Sequence, residues 1–427
     1  MLSREVRVSA ERVRAVEMRI AKYIRRALKI LVSVALFAVV GIATLWATLW
    51  LDHRRETTLP RPTGPFAVGR TVYYWRDTAH ADPMAPQPGT KRELVAWMWY
   101  PAQARQGSET YADYLPAPWR TALDRRRGPV ISHLLTRDLS KVHVHSIRDA
   151  QLAPQQHSYP VVFMRAGLAA LTTDYTSLAE DLASHGYVVI GFDAPYRSWI
   201  IVLPDGTVIA RAPQNNADAL AGAEQEQLAT KLVQAWTADT VFALNQLEGL
   251  NASDPSGRFR GRLDLDRVGV FGHSLGGATS LQFCHDDSRC KAGIDIDGAP
   301  LGRVVTEGVR QPFLFLLSAQ IESSDWQSSK VKADIQSIYD RLPPDGRWEI
   351  EIRGANHYLF SDDSALLKSH AITALLRTFG VLGIDGSRQL AVTAYCVHSF
   401  FDTYLKGTAI SRLDISSPLY PEIRVLQ

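Results

Sequence analysis

The stretch VGVFGHSLGGATS, residues 268–280, sets Ser274 between Gly272 and Gly276, where an apolar run gives way to small residues. A serine hydroxyl is a poor nucleophile until a base takes its proton. Glycines on either side permit the sharp strand-to-helix turn that lifts such a hydroxyl above the edge of a sheet. Gly277, Ala278 and Thr279 follow, small enough for the next helix to pack close to that sheet. The competing reading is an idle serine in a Gly-rich bend, and the strand pattern before it argues against that. The chemistry implied is acyl transfer, which requires a histidine base and an acid to orient it.

In an architecture with such an elbow, the partners follow in the order serine, acid, histidine, each at a strand end. His357, in IRGANHYLF, comes just after the last strand-like run. His370 and His398 fall in helical patterns, and His273 is the elbow's own neighbour. For the acid, Asp297 ends KAGIDID, while Glu322 and Asp325 follow FLFLLSAQ. Strand alternation sets Asp295 and Asp297 on one face, with Asp297 at the end. The residues alone leave Asp297 level with the later pair. No Cys/His grouping has zinc spacing, and His143 and His145 share a strand face without an evident third ligand, so neither metal nor cofactor is expected. Of three cysteines, Cys284 and Cys290 are six apart in CHDDSRC; a bridge there would contribute about 2 kcal/mol. Cys396 stands apart.

These side chains need a scaffold that gathers distant strand ends. From about residue 160, apolar strands alternate with helical patterns, the signature of a parallel sheet with crossover helices. YPVVFMRAG reads as a strand, DYTSLAEDLASHG as a helix closed by Gly186, and YVVIGFDAP as the next strand. SWIIVLPDGTVIAR holds two β runs around Pro204-Asp205-Gly206, a hairpin signal. Leu228, Leu232, Trp236, Ala243 and Leu247 then mark a long helix. DRVGVFG leads into the elbow, and KAGIDID, QPFLFLLS and RWEIEIRG supply three more strands. In the last, Trp348, Ile350 and Ile352 alternate with Glu349, Glu351 and Arg353. A helix around LAVTAYCVHSFFDTYLKG ends at Gly407, and the tail from 408 carries no pattern. Upstream, TVYYW and RELVAWMWYP are strand-like.

The whole chain has 427 residues, 46% apolar, with a formal charge of +3, which suits one large domain with ample core. Residues 1–29 hold nine Arg/Lys against three Glu, a balance of +6, so the remainder sums to −3. A nucleic-acid patch would be confined to those 29 residues, and no nucleic-acid partner is expected. Residues 30–51 contain no charge; as a helix they extend about 33 Å, enough for a hydrocarbon layer of roughly 30 Å. The stronger positive flank is N-terminal, which keeps residues 1–29 in the cytoplasm and sends the bulk of the chain across. A cleaved signal peptide is the rival, disfavoured by the length of the apolar run and the lack of an A-x-A site. Residues 1–24 pattern as a basic amphipathic helix suited to anionic lipid. The expected order is thus a basic cytoplasmic segment (1–29), a transmembrane signal anchor (30–51), a Pro-rich linker (52–70) and a catalytic domain (71–427).

Residues from about 160 to 360 resemble the plasma-type, isoform II, platelet-activating-factor acetylhydrolases and their bacterial relatives. The resemblance rests on YPVVF, GLAALTTDYTSLAEDLASHGYVVIGFD, RVGVFGHSLGGAT, CKAGIDIDGAP and IRGANH. It implies an α/β-hydrolase fold, a mostly parallel sheet flanked by helices, here preceded by one N-terminal transmembrane helix. It also assigns Ser274 as nucleophile, His357 as base and Asp297 as acid. The oxyanion hole would be the backbone N–H groups of Leu168 and Leu275; one such donor can be worth about 3 kcal/mol. Two departures stand out. The family commonly has His-Gly or Pro-Gly in the oxyanion loop, where this chain reads Arg165-Ala166-Gly167. Leu275 stands where Phe is frequent, a change that bears on the acyl pocket.

The expectation is a membrane-anchored serine ester hydrolase, cleaving short or oxidised acyl groups from phospholipid-like esters without calcium. A general short-chain carboxylesterase or dienelactone-hydrolase-like enzyme shares the same residues, and an inactive hydrolase fold serving as a membrane interaction module is the reading from another class. The catalytic domain would lie outside the cytoplasm, in the periplasm if the chain is bacterial. Acyl length, head group and oligomeric state are not written in these motifs.

Overall fold

The computed structural model describes residues 2–103, 110–132, 136–318, 326–366, 378, 383–408 and 419–426. Helix α1 (Leu2–His53) is followed by β1 (Thr57–Thr58), β2 (Ala67–Ala81), β3 (Lys91–Ala102) and β4 (Tyr111–Asp113). Next come α2 (Ala117–Arg127), β5 (Val142–Arg148), β6 (Tyr159–Arg165), α3 (Thr176–Ser184), β7 (Val188–Asp193), β8 (Ile200–Val202) and β9 (Val208–Ala210). The second half runs α4 (Gly222–Ala252), β10 (Leu263–His273), α5 (Leu275–Asp286), β11 (Cys290–Ile296), α6 (Val304–Glu307) and β12 (Phe313–Ser318). It closes with α7 (Trp326–Tyr339), β13 (Arg347–Ile352), α8 (Asp363–Leu366), α9 (Gly386–Lys406) and β14 (Ile423–Val425).

Among the described residues, twelve strands form one sheet in the order β1-β5-β2-β3-β7-β6-β10-β11-β12-β13-β14, with β4 beside β5. The six strands from β7 to β13 are mutually parallel. Parallel strands are covered on both faces and so read as continuous apolar runs, as β6, β7 and β12 do: every residue in them is buried. Alternation then sorts their side chains. Val162 and Met164 meet α3 and α9 on one face, while Val161 and Phe163 meet α4, α5 and α7 on the other. This is the parallel sheet with crossover helices that the pattern of elements predicts, arranged as the α/β-hydrolase fold that the resemblance implies. Its functional consequence is that β10, β11 and β13 all end on the same edge, where open parallel sheets place their ligands.

Two expectations change. Residues 52–70, expected as a linker, are built into the domain: Thr57 and Thr58 pair with β5, Leu59 is buried, and β2 begins at Ala67. The backbone there is satisfied by side chains far away in sequence, as where Thr63 N–H donates to Asp181 at 2.9 Å and Gly64 N–H to Ser184 Oγ at 2.9 Å. The tail without a pattern supplies β14, antiparallel to β13. Covering that edge buries Glu351, which alternation would leave in solvent, with Arg424 3.5 Å away. Upstream of the sheet, α1 contains a stretch long and apolar enough to cross a membrane, with its side chains exposed. The same length and composition suit a membrane span and a signal sequence.

One buried ion cluster ties the loops above the sheet together. Arg197, fully buried, pairs with Asp82 at 2.6 Å and with Asp239 of α4 at 2.8 Å. The two carboxylates push its guanidinium pKa upward against the cost of burial. Removing one partner of a buried pair leaves an uncompensated charge, typically at 3–5 kcal/mol. Arg197→Met is therefore expected to lower the unfolding free energy by about 3–5 kcal/mol in a urea titration, against under about 1 kcal/mol if these charges were solvated.

Candidate active site

β10 ends at His273 and α5 begins at Leu275, so Ser274 alone makes the turn. Its φ of 57° and ψ of −123° lie outside the regions open to most L-residues, at a cost of order 1–3 kcal/mol. The turn is held because the residues two positions away on either side, Gly272 and Gly276, carry no side chain. A Cβ on Gly272 would lie 2.1 Å from Gly276 O, and one on Gly276 would lie 2.3 Å from Arg165 O. Ser274 N–H donates to Ile296 O at 2.9 Å, tying the elbow to the end of β11.

Asp297 follows β11 directly and is also left-handed, with φ 54°. His357 Nδ1 donates to its Oδ2 at 2.7 Å. Ser318, at the end of β12, adds two more bonds: its N–H to Oδ1 at 2.7 Å and its hydroxyl to Oδ2 at 2.8 Å. Burial opposes the charge on Asp297, but the bond and charge of His357 and the two Ser318 donors outweigh it and hold the carboxyl below its usual range. Asp295 has no such company. Burial pushes it well above that range, and among the described residues its Oδ1 accepts only from Gly298 N–H, at 2.9 Å. Glu322 and Asp325 lie outside the described residues, as does His370.

His357 is carried on a tight turn after β13. Asn356 caps that turn, accepting from Tyr358 N–H at 3.0 Å, and Gln389 of α9 clasps the backbone of Asn356 with bonds of 3.0 and 2.9 Å. The His357 ring lies 4.6 Å, centre to centre, from that of His273, the residue before Ser274. Among the described residues the Ser274 hydroxyl makes no hydrogen bond; in hydrolases this link often tightens only in the substrate complex.

The loop after β6 comes to within van der Waals contact of the elbow: a Cβ on Gly167 would lie 3.5 Å from Ser274 Cβ. Gly167 N–H donates to Tyr175 Oη at 3.2 Å, and that hydroxyl is 2.7 Å from His273 Nδ1. Donation from Tyr175 to His273 Nδ1 leaves the Tyr175 oxygen to accept from Gly167 N–H. Burial, with the nearby His357, lowers His273 to about 3 and keeps its ring neutral. On the other side, Arg211 donates to Leu168 O at 3.2 Å. Arg165 points away from this loop: it donates to Phe192 O at 3.1 Å, and its guanidinium lies 3.8 Å from the centre of the Phe192 ring. Leu275 N–H, first in α5, has no intrahelical acceptor. Leu168, Leu275 and Ser274 line one cavity of about 450 Å³, with Pro300, Leu301 and Val331 on its wall and Lys330 between Glu226 and Asp334 at its rim.

The structure thus gathers Ser274, Asp297, His357, Leu168 and Leu275 at one sheet edge. The supports of these residues, Ser318, Tyr175, His273, Arg211 and Gln389, were not legible, since each acts through a contact between distant segments. Cys284 and Cys290 are joined by a disulfide across the end of α5 and the start of β11. Cys396 is buried, and burial pushes its thiol up to about 12, so it offers no nucleophile. His143 and His145 share the outer face of β5, paired with Glu56 at 3.5 Å and Leu59 O at 2.9 Å.

Three comparisons bear on this arrangement. The sequence pattern of the family described as "Platelet-activating factor acetylhydrolase, isoform II" matches residues 52–406. A protein of Arthroderma benhamiae named "Probable 1-alkyl-2-acetylglycerophosphocholine esterase" is 25% identical over 390 residues, 86% of this chain and 92% of that one. The "Platelet-activating factor acetylhydrolase" of Canis lupus familiaris is 24% identical over 72% of this chain and 69% of its own. Among solved structures, a ferulic acid esterase from Streptomyces cinnamoneus superposes with a TM-score of 0.68 at 24% identity, covering 87% of this chain and all of that one, which supports the fold.

The lowered carboxyl of Asp297 has a measurable consequence. An unfolded chain binds that proton near pH 3.9, more tightly than the folded protein does. Asp297 therefore stabilises the fold fully above that value, and the contribution is lost as pH falls through the lower folded-state value. Asp297→Asn removes this titration. The stability gap between wild type and variant, read by urea unfolding, should be widest above about pH 5 and shrink toward pH 3. A gap that stays constant with pH would mean that Asp297 is not held as a carboxylate.

Proposed function

The chain belongs to the platelet-activating factor acetylhydrolase, isoform II, family of carboxylic ester hydrolases, and from that premise we propose that it is a serine hydrolase using Ser274, His357 and Asp297. The observation that carries this reading is the 2.7 Å bond from His357 Nδ1 to Asp297, made beside a strained serine elbow. Asp297 fixes the tautomer that leaves His357 Nε2 bare, and it stabilises the imidazolium formed when that nitrogen takes the Ser274 proton. The Ser274 oxygen attacks the ester carbonyl, and the negative charge on the carbonyl oxygen is received by the N–H groups of Leu168 and Leu275. His357 then protonates the leaving alkoxide. In the second half, water loses a proton to His357, attacks the acyl-serine, and restores the free hydroxyl.

The substrate class we infer is a phospholipid-like ester with a short or oxidised acyl chain. The cavity of about 450 Å³ is at the small end for ligand sites, and Leu275 and Leu168 offer the acyl chain an apolar wall. We further propose that residues 30–51 anchor the enzyme in a membrane, with residues 1–29 cytoplasmic and the hydrolase domain on the opposite side. Its support is the uncharged stretch itself and the excess of Arg and Lys before it.

Three experiments test these readings. Asp297→Asn keeps the shape of the acid but favours the wrong histidine tautomer, and kcat for a short-chain ester should fall by about 10⁴-fold while KM changes little. Near-normal turnover would remove Asp297 from the mechanism. Across a series of glycerophospholipid and simple alkyl esters, kcat/KM should peak at short acyl chains and favour the phospholipids; equal rates for simple esters would indicate a general carboxylesterase. For topology, a reporter fused after residue 60 should be active only outside the cytoplasm, and cytoplasmic activity would reverse the orientation.

A further inference from the structure

Away from the elbow, three side chains of metal-ligating type meet between α3 and α9. Asp181 lies in α3 and His185 caps its C-terminus one turn on; His398 comes from α9. His398 Nδ1 lies 2.9 Å from Asp181 Oδ2, and His185 Nε2 lies 3.9 Å from the same oxygen. All three ligand atoms lie within 4.8 Å of one another. The side chains are mostly buried, with 6%, 19% and 13% of their surface exposed for Asp181, His185 and His398. A cavity of about 230 Å³ opens onto the three, bounded by Thr63, Tyr395 and Tyr420.

Hydrogen bonds hold the three side chains together. Thr63 donates its hydroxyl to Asp181 Oδ1 at 2.7 Å, and His398 donates to the other oxygen. His185 Nε2 in turn donates to the Thr63 hydroxyl oxygen at 2.9 Å, and its ring stacks on that of His398, 4.0 Å away and 19° from parallel, so that both imidazoles turn a nitrogen toward Asp181. We propose that Asp181, His185 and His398 form a binding site for a divalent first-row metal ion of the zinc type, with a fourth position open to the cavity. Around a tetrahedral zinc ion with bonds of about 2.0–2.1 Å, ligand atoms stand about 3.3 Å apart, a value that the 2.9 and 3.9 Å separations bracket. Two imidazoles and one carboxylate are a common donor set for such an ion. On binding, His398 moves its proton from Nδ1 to Nε2 and His185 from Nε2 to Nδ1, freeing both lone pairs with no net loss of protons. The ion clamps α3 to α9 and, through Thr63, to the segment that leads from α1 into the sheet.

The test uses the full chain in detergent, stripped with EDTA and titrated with Zn²⁺ alone. One ion should bind saturably, and at a hundred times Kd the melting midpoint should rise by about 3–6 °C. His185→Gln and His398→Gln should each weaken binding by at least about 100-fold, more than the loss of a residue that merely supports a ligand, while ester hydrolysis is kept. Should either variant fail to fold, Co²⁺ bound to the wild type decides: the intense visible absorption of a four-coordinate ion supports the site. An octahedral spectrum, absence of saturable binding, or wild-type affinity in both variants overturns it.

Discussion

At Gly276 two stretches of backbone come closer than any side chain would allow. A Cβ at that position would meet Arg165 O at 2.3 Å and Ala166 O at 2.6 Å, so the start of α5 is pressed against the loop that follows β6. That approach is what lets Leu168, Leu275 and Ser274 line a single cavity. Gly277 extends the same packing downward: a Cβ there would lie 1.7 Å from Asp295 Oδ1. The strained dihedrals of Ser274 persist because the strand before it and the helix after it are buried over most of their length. The remaining parts of the candidate site are placed relative to this contact.

Electrostatics then separates groups that look alike in the sequence. Asp295 and Asp297 are two positions apart, yet burial relieved by a single Gly298 N–H bond pushes the first carboxyl well above its usual range, while three donated bonds hold the second below it. The difference is one of supply. β11 ends before Asp297, whose positive φ turns the side chain out toward Ser318 and His357, whereas Asp295 remains inside the strand beneath α5. Arg165 and Arg197 show the same rule for cations. Arg197 has two carboxylates and is pushed upward, while Arg165, stacked on Phe192 in a desolvated slot, is lowered to about 10.

Much of this was legible because it is local. The Gly-Ser-Gly spacing, the alternating strands and helices from residue 160, and the caps at Gly186 and Gly407 each state their structure within a few residues. The choice of acid was not local: Asp297, Glu322 and Asp325 all follow apolar strands, and the bond that distinguishes Asp297 spans sixty residues. Residues 56–65 misled for a related reason. Proline and small polar residues suggest a free linker, but Thr63 and Gly64 find their partners in α3, more than a hundred residues on. Tyr175 sits in what reads as an ordinary helix start, and only the fold brings its hydroxyl between Gly167 and His273.

The central claim is that Ser274 attacks a carbonyl whose oxygen is received by Leu168 and Leu275 while His357, held by Asp297, manages the proton. It is tested most directly by a crystal structure of the protein after reaction with a fluorophosphonate ester. The account predicts a single covalent bond from Ser274 Oγ to phosphorus, with the phosphoryl oxygen within about 3 Å of both backbone N–H groups and His357 still bonded to Asp297. An adduct on another residue, or a phosphoryl oxygen turned away from the loop after β6, would contradict it.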